Sequence, residues 1–183
     1  MNLTGQILVS MPSLTDERFF KTVIYMCAHS SEGSMGIIIN KKIDYDLYPD
    51  LLEQLGIDKP LDNKKLFIRY GGPIESGRGF VLHSDDIMRK ETLNIDKGVA
   101  LTTTAEFFDD LSKGEGPQNS LLALGYAGWG PGQLESEIMH NSWMSLAVDP
   151  SFLFDDEVSK KWTQAYKILG VDPNNLSFQS GNA

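Results

Sequence analysis

The segment LALGYAGWGPGQLE, residues 122–135, joins an apolar run to a cluster of four glycines that holds two aromatic side chains. Tyr126 and Trp129 lie among these glycines, and large aromatic side chains indicate an ordered segment. Glycine at this density in an ordered segment indicates a positive φ or a close approach between backbones. The apolar residues before Gly125 predict a buried strand over residues 120–124, and an acidic segment of helical character follows. The segment therefore predicts an ordered backbone and not a flexible tail.

Other apolar runs predict strands on both sides of this segment. Residues 22–28 are β-branched and aromatic with both alternating faces apolar, which is typical of a central strand covered on both sides. A short Gly/Ser loop joins them to the apolar residues 35–40, which predicts a β-hairpin. The remaining predicted strands cover residues 6–11, 66–70, 79–83, 99–102 and 143–148.

Three segments have apolar residues at helical spacing. The first is rich in leucine and ends at Gly56. The second begins at Thr103, which forms a capping-box pair with Glu106. The third is capped by Asp155 or Asp156. Because strands follow one another without a helix over the first 40 residues, we expect an α+β fold. Its sheet is mixed and mostly antiparallel, with about three helices packed on it, in contrast to a doubly wound α/β fold.

Length and composition predict one domain over residues 1–183, with a polar tail from about residue 173. No apolar stretch reaches the roughly 18 residues that cross a bilayer, and the first residues lack the pattern of a secretory signal. Cys27 is a single cysteine, so no internal disulfide forms, which fits a reducing compartment. We therefore expect a cytoplasmic protein without a membrane segment.

The charge balance disfavours direct binding of nucleic acid. The chain has 16 Lys and Arg against 25 Asp and Glu, a formal net charge of -9. Proteins that bind duplex DNA gain much of their affinity by neutralising phosphates with basic side chains. The basic residues here are scattered in pairs, and none forms a run of five or six.

Cys27 and His29 are two residues apart on a predicted strand, so we expect both side chains on one face. A catalytic thiol–base pair needs hydrogen-bond contact, which strand neighbours roughly 7 Å apart do not usually have. A buried, inert cysteine beside a histidine at the strand end is the favoured interpretation.

Glu137 and His140 have the Glu-x-x-His spacing found in carboxylate-bridged metal proteins. Such sites use two copies of the motif, and the sequence has no second copy. We instead place Glu135 and Glu137 in the first turn of a short helix, where its positive end stabilises them. The sequence predicts neither a metal site nor a cofactor.

The glycine-rich loop of residues 71–79 is the candidate for ligand binding. Gly71 and Gly72 could form an anion-binding nest with guanidinium support from Arg69 and Arg78, and His83 completes the candidate ligand-binding set. The loop matches neither of the strong phosphate-binding patterns, and tight turns explain its glycines more simply. Candidate serine nucleophiles lack the Gly-x-Ser-x-Gly elbow, so the sequence favours no catalytic residue.

Taken together, the motifs resemble those of the YqgE/AlgH family of bacterial proteins. The matching stretches are GQILVSMP (5–12), FKTVIYMCAH (20–29), EGSMG (32–36), GGP (71–73), RGFVLH (78–83), LGYAGW (124–129), GQLE (132–135), NSW (141–143) and LFD (153–155). Ala28 stands where family members often have glutamate. The resemblance implies a complex α+β fold of bent and bifurcated sheets. One member's name implies a role in regulating alginate synthesis, and the description of transcriptional regulator goes with it. The resemblance implies no catalytic residue, cofactor or DNA-contacting element for this chain.

Three functional hypotheses follow. The first, which we favour, is a non-enzymatic regulatory or adaptor protein that binds protein partners through Tyr126 and Trp129. The second is a small-ligand-binding protein or hydrolase that uses the 71–79 loop. The third is a direct DNA-binding regulator, which the net charge disfavours. Full burial of both aromatic rings would weigh against the first hypothesis, and divergence of Arg69, Arg78 and His83 would weigh against the second.

Overall fold

The computed structural model describes residues 2–44, 47–57, 68–155 and 157–176. Within these ranges the chain forms one bent sheet of nine strands. The strands are β1 (Ile7–Ser10), β2 (Val23–Ser30), β3 (Gly33–Ile38), β4 (Ile68–Tyr70), β5 (Ile74–His83), β6 (Leu93–Asp96), β7 (Val99–Thr102), β8 (Ser120–Trp129) and β9 (Trp143–Leu146). The α-helices are α1 (Tyr48–Gln54), α2 (Ala105–Lys113), α3 (Gln133–Met139), α4 (Ser151–Phe154) and α5 (Lys161–Ile168). None of the helices in the described ranges is long and apolar enough to cross a membrane.

Strand β8 connects the two halves of the sheet. The strand order is β6-β7-β5-β8-β3-β2-β1-β9, and β4 pairs with β8 beside this path. The β4–β8 pairing is parallel and the other pairings are antiparallel. The α+β class with a mixed, mostly antiparallel bent sheet is therefore confirmed, and β8 runs well beyond the predicted strand at residues 120–124.

The sheet curls so that its inward faces share one inner core. This core takes side chains from both halves, such as Val9 and Tyr25 on one side and Leu82 and Leu101 on the other, and helices α4 and α5 also contribute to it. The two halves approach each other near Gly5, where a Cβ would lie only 2.5 Å from Asp96 Oδ2. Burial of apolar area on this scale supplies most of the stabilisation of a fold.

Each outward face of the sheet has its own apolar cluster. Helix α3 covers the first half, where Leu134 packs with Trp129 and Trp143. Helices α1 and α2 cover the second half, where Phe107 and Phe108 pack on the strands. Because both faces of β2 and β8 are buried, their sequences are apolar at consecutive positions.

Close approach between backbones explains the glycines at the centre of the sheet. A Cβ on Gly72 would lie 2.0 Å from the carbonyl carbon of Tyr126, and one on Gly71 would lie 2.2 Å from the Gly125 carbonyl oxygen. Gly125 itself has a φ of 72° in the middle of β8. A larger side chain at these positions would push β8 away from its neighbours.

Two helix starts differ from the sequence prediction. Helix α2 has Thr104 and not Thr103 at its N-cap, and no side chain caps it. A 3₁₀ turn, Val158–Lys160, lies between Asp155 and α5, so that helix begins several residues late. The structure adds β6, whose residues are mostly exposed, and the four-residue helix α4, neither of which shows an apolar period in sequence. Predicted strand residues 66 and 67, Asp156, and residues 177–183 of the polar tail lie outside the described ranges.

Candidate functional site

Strand β5 leaves the sheet as a bulge opposite Gly125. Ile74 pairs with Tyr126 and Gly79 pairs with Leu124. An advance of five residues along β5 is therefore matched by only two residues along β8, and the extra β5 residues form the bulge. Within this bulge Glu75 has a left-handed backbone with a φ of 47°, which non-glycine residues adopt only at a free-energy cost of about 1–2 kcal/mol. Backbone strain of this kind persists where the surrounding structure holds it, and bulges often re-aim side chains at functional sites.

The bulge presents a mixed apolar and charged surface. Ile74 is 38% exposed, and its Cδ1 atom and the Tyr126 ring both cover Gly128, lying 2.9 and 3.4 Å from the position of a Cβ there. Arg78 bridges to Glu75 at 2.9 Å and donates to Thr103 Oγ1 at 3.3 Å. We call Ile74, Glu75, Arg78 and Tyr126 the bulge platform.

The platform is continuous with the inner core through Phe80. The Phe80 and Tyr126 rings meet edge-to-face with centroids 5.6 Å apart, and the Arg78 guanidinium carbon lies 5.3 Å from the Phe80 centroid. Tyr126 is half-buried, and its ring is held in place by Phe80 and Gly128. Aromatic and arginine side chains in this arrangement are the types that contribute most at protein interfaces.

Trp129 does not belong to this surface. It is 7% exposed and meets Trp143 edge-to-face, with ring centroids 6.1 Å apart. Its indole Nε1–H donates to Glu137 Oε2 at 2.9 Å, and the Trp143 Nε1–H donates to the same oxygen at 2.8 Å. Of the two aromatic residues predicted to contact partners, the structure therefore displays Tyr126 and buries Trp129.

His83 lies away from the platform on the other face of β5. It is fully buried and tilts against Phe107 of α2, with ring centroids 4.6 Å apart. Its Nδ1–H donates to the Ser84 carbonyl and its Nε2 accepts from Thr102 Oγ1, both at 2.8 Å. Burial lowers the pKa of His83, so the neutral ring is favoured. Both ring nitrogens have partners inside the protein.

Arg69 is also buried, and its Nη1 donates to the Ile39 carbonyl. Along β4 it pairs with Ala123 of the inner core, whereas His83 faces α2 on the opposite side of the sheet. Gly71 and Gly72 touch the backbone of β8. The structure thus does not gather Arg69, Arg78 and His83 around one cavity, and only Arg78 of the three reaches solvent in the 71–79 loop.

A bulge at Cys27 separates it from His29, which corrects the expectation that both face one way. Met26 pairs with Gly36 and Ala28 pairs with Met35, so Cys27 is an extra residue in β2. Side chains after Cys27 therefore lie on the opposite face from the one that regular alternation predicts. Cys27 points into the inner core, where burial raises the pKa of its thiol to about 12. His29 instead lies over the outer face, where its Nδ1 accepts from the Leu3 N–H at 3.0 Å.

The acidic residues of α3 form internal hydrogen bonds. Glu135 accepts from His29 Nε2–H at 2.8 Å, and its pKa is lowered mainly by a backbone hydrogen bond and then by this histidine. His140 Nδ1–H donates to the Ser136 carbonyl at 2.7 Å. Among the described residues no group of three or more His, Cys, Asp or Glu side chains is placed to hold a metal ion.

The features of the site that the sequence did not reveal depend on pairing between strands. Glu75 carries no sequence signal for a left-handed backbone, apart from the neighbouring Gly77. Glu137 as a shared acceptor for two indoles depends on bringing β8, α3 and β9 together. Trp129 lies eight residues before Glu137 and Trp143 lies six residues after it, and neither spacing matches a helical period.

The chain matches known proteins over nearly its full length. A family model described as AlgH-like matches residues 7–174. A protein of Beijerinckia indica named UPF0301 is 47% identical, over 99% of this chain and 92% of its own. A protein of the same name from Nitrobacter hamburgensis is 48% identical, over 99% and 88%.

Two solved structures share the fold. The solution structure of the AlgH protein from Pseudomonas aeruginosa is 36% identical and superposes with a TM-score of 0.81, covering 100% of this chain and 97% of that one. A crystal structure of protein DIP2367 from Corynebacterium diphtheriae has a TM-score of 0.72 at 19% identity, over 91% and 86%, and so shares the fold alone. By sequence over residues 7–174 and by three-dimensional structure, the chain belongs to the AlgH-like family.

Proposed function

We propose that this protein is a non-enzymatic regulatory or adaptor protein that binds a protein partner through the bulge platform. The observation that carries the proposal is the β5 bulge, which holds Glu75 in a left-handed conformation and displays the Glu75–Arg78 pair beside Ile74 and Tyr126. A preformed surface of this kind loses little conformational entropy when a partner binds.

The chemistry of the other candidate groups supports a binding role over catalysis. A nucleophile or general base must reach a substrate while it is in a reactive protonation state. The Cys27 thiol is buried with a raised pKa, and His83 and His29 each use both ring nitrogens in internal contacts. These groups therefore serve as packing and hydrogen-bonding elements.

The alternatives have less support. A small-ligand site in the 71–79 loop would rest on Arg78 alone, and Glu75 already neutralises that side chain. Direct binding of DNA would require a basic surface on a chain with a net charge of -9. With its single buried cysteine, we expect the protein to act in the reducing cytoplasm.

Site-specific photo-crosslinking in cells tests the proposal. A photoreactive phenylalanine analogue at Ile74 should yield a covalent adduct of defined mass with a protein. Adding Arg78→Glu to the same chain should abolish that adduct, because it replaces the Glu75–Arg78 pair with two like charges. The matched control places the analogue at Lys113, an exposed residue in the last turn of α2.

Equal labelling from Ile74 and Lys113, or an adduct that survives Arg78→Glu, would contradict the proposal. An adduct with nucleic acid would favour the DNA-binding hypothesis. Protection of Ile74 by a purified metabolite, without a protein adduct, would favour the ligand-binding hypothesis.

A further inference from the structure

The loop of residues 16–21, between β1 and β2, is held rigidly by three side chains. It contains a 3₁₀ turn, Glu17–Phe19, with Asp16 as its cap. The carbonyl oxygens of Arg18, Phe20 and Lys21 each accept a hydrogen bond, from Lys41 Nζ (2.6 Å), Thr22 Oγ1 (3.3 Å) and Asn40 Nδ2 (2.8 Å). Because these backbone carbonyl oxygens accept hydrogen bonds from side chains, the loop conformation is already fixed before any partner binds.

Successive aromatic residues of this loop point in different directions. Phe19 packs inward, edge-to-face on Trp143 with centroids 5.6 Å apart. Phe20 is 52% exposed, although an aromatic ring of this size is normally covered. Phe19 is the last residue of the 3₁₀ turn, whereas Phe20 after it has an extended backbone with φ -61° and ψ 128°. Lys21 follows with a left-handed φ of 48°. As with Glu75, this backbone is unfavourable for a lysine and is maintained by its surroundings.

Lys21 adds positive charge directly beside the exposed ring. Its Nζ lies 5.3 Å from the Phe20 centroid and 5.5 Å from the Trp162 centroid, within cation–π range of both. Arg18 is paired with Asp16 at 2.7 Å, whereas Lys21 makes no salt bridge to a carboxylate within the described residues. The ammonium group is thus positioned by aromatic faces and available to an external carboxylate.

The charge of this surface is opposite to that of the whole molecule. Residues 16–22, together with Lys41 whose Nζ donates to the loop, contain three basic and two acidic side chains, a formal charge of +1, on a chain whose net charge is -9. A positive surface around an exposed aromatic ring complements an acidic surface with an apolar pocket. Duplex DNA and anionic membranes usually require larger basic clusters than this one.

We propose that the 16–21 loop is a docking site for an acidic segment of a partner protein, with Phe20 inserted into an apolar pocket and Lys21 paired with a carboxylate. The loop lies beside the end of β3, near Asn40, whereas the bulge platform lies toward the start of β3, where Met35 pairs with Gly128. The two surfaces are separate, so this site does not depend on the platform.

A random library of displayed 12-residue peptides, depleted on the Phe20→Ala variant and then selected on the wild-type protein, tests the site. The recovered peptides should carry net negative charge and at least one large apolar residue. Fluorescence anisotropy of a labelled peptide should show binding about tenfold weaker for Phe20→Ala. For Lys21→Glu the loss should be about two- to fivefold, and the affinity of the wild-type protein should fall with added salt more steeply than that of this variant.

The variant Ile74→Ala, on the bulge platform, is the matched control and should bind the peptide like the wild type. Far-UV circular dichroism confirms that the variants fold, which we expect because Phe20 is exposed. A selection without enrichment, peptides without acidic character, or equal binding to Phe20→Ala would each overturn the inference. Tighter binding of duplex DNA or of anionic lipid vesicles at the same loop would also overturn it. Loss of binding by Ile74→Ala alone would move the peptide site to the platform.

Discussion

Glu137 binds two indole N–H groups with one carboxylate oxygen, so replacing it with alanine removes the acceptor of both. Trp129 and Trp143 are 7% and 3% exposed, and their Nε1 atoms lie 2.9 and 2.8 Å from Glu137 Oε2. The other oxygen accepts from Gln133 Nε2 at 2.9 Å. Glu137→Ala therefore leaves two donors in the outer core of the first half of the sheet without a protein acceptor.

The expected loss of stability follows from these contacts. Each buried donor left without a partner lowers the free energy of unfolding by about 1–3 kcal/mol. Glu137 is itself partly exposed, so water can reach some of the vacated space, and we expect a total of about 2–4 kcal/mol. For a chain of this length a loss of about 3 kcal/mol lowers the melting temperature by about 6–12 °C.

The matched variant is Glu137→Gln, whose amide oxygen can still accept from both indoles. It loses the charge assistance and places a donor against Gln133, so we expect a loss of about 1 kcal/mol. Urea unfolding followed by far-UV circular dichroism measures both variants, because tryptophan emission would itself change with the substitution. If Glu137→Ala lies within about 0.5 kcal/mol of the wild type, or if both variants lose the same amount, the acceptor explanation is wrong.

The remaining predictions concern single residues of the cores. The Cys27 thiol, buried with its pKa raised to about 12, should not react with a thiol reagent at pH 8 until urea unfolds the chain; fast labelling of the native protein would contradict its placement. Burial lowers the pKa of His83, so as pH falls below its ordinary value of 6.5 the unfolded chain takes up the proton first and stability is lost. His83→Gln should flatten the fall in the free energy of unfolding between pH 8 and 5, and an unchanged slope would refute this. Gly72→Ala should prevent stable folding, because its Cβ would lie 2.0 Å from the Tyr126 carbonyl carbon, whereas Gly77→Ala has open space and should change stability by less than about 1 kcal/mol in thermal melts.

Local patterns in the sequence predicted most of the regular elements. The run at residues 22–28 is apolar on both faces because β2 lies between the inner and outer cores. The strand at residues 99–102 corresponds to β7, and the hairpin across residues 30–34 is the β2–β3 pair. These elements were predictable because burial on one or both faces of a strand requires apolar residues at alternate or consecutive positions, and this pattern is visible in the sequence.

Elements whose positions depend on distant partners were not predictable. The bulge at Cys27 reverses the face on which His29 lies, and it shows only in the register against β3. Short strand β6 has an exposed Leu93 and no periodic pattern, so it is defined by its pairing with β7. The start of α5 moved because the 3₁₀ turn Val158–Lys160 intervenes after Asp155.

The sequence by itself determined the family resemblance, the α+β class and the residue types available for a site. Only the tertiary structure decided which of those residues share a surface. It buried Trp129 and His83, left Tyr126 half-buried and Phe20 exposed, and joined the 71–79 loop to β8 as a bulge. The physical reason is that exposure and contact depend on how the sheet curls, which follows from strand pairing over long sequence separations and from close backbone approaches such as that of Gly72 to Tyr126.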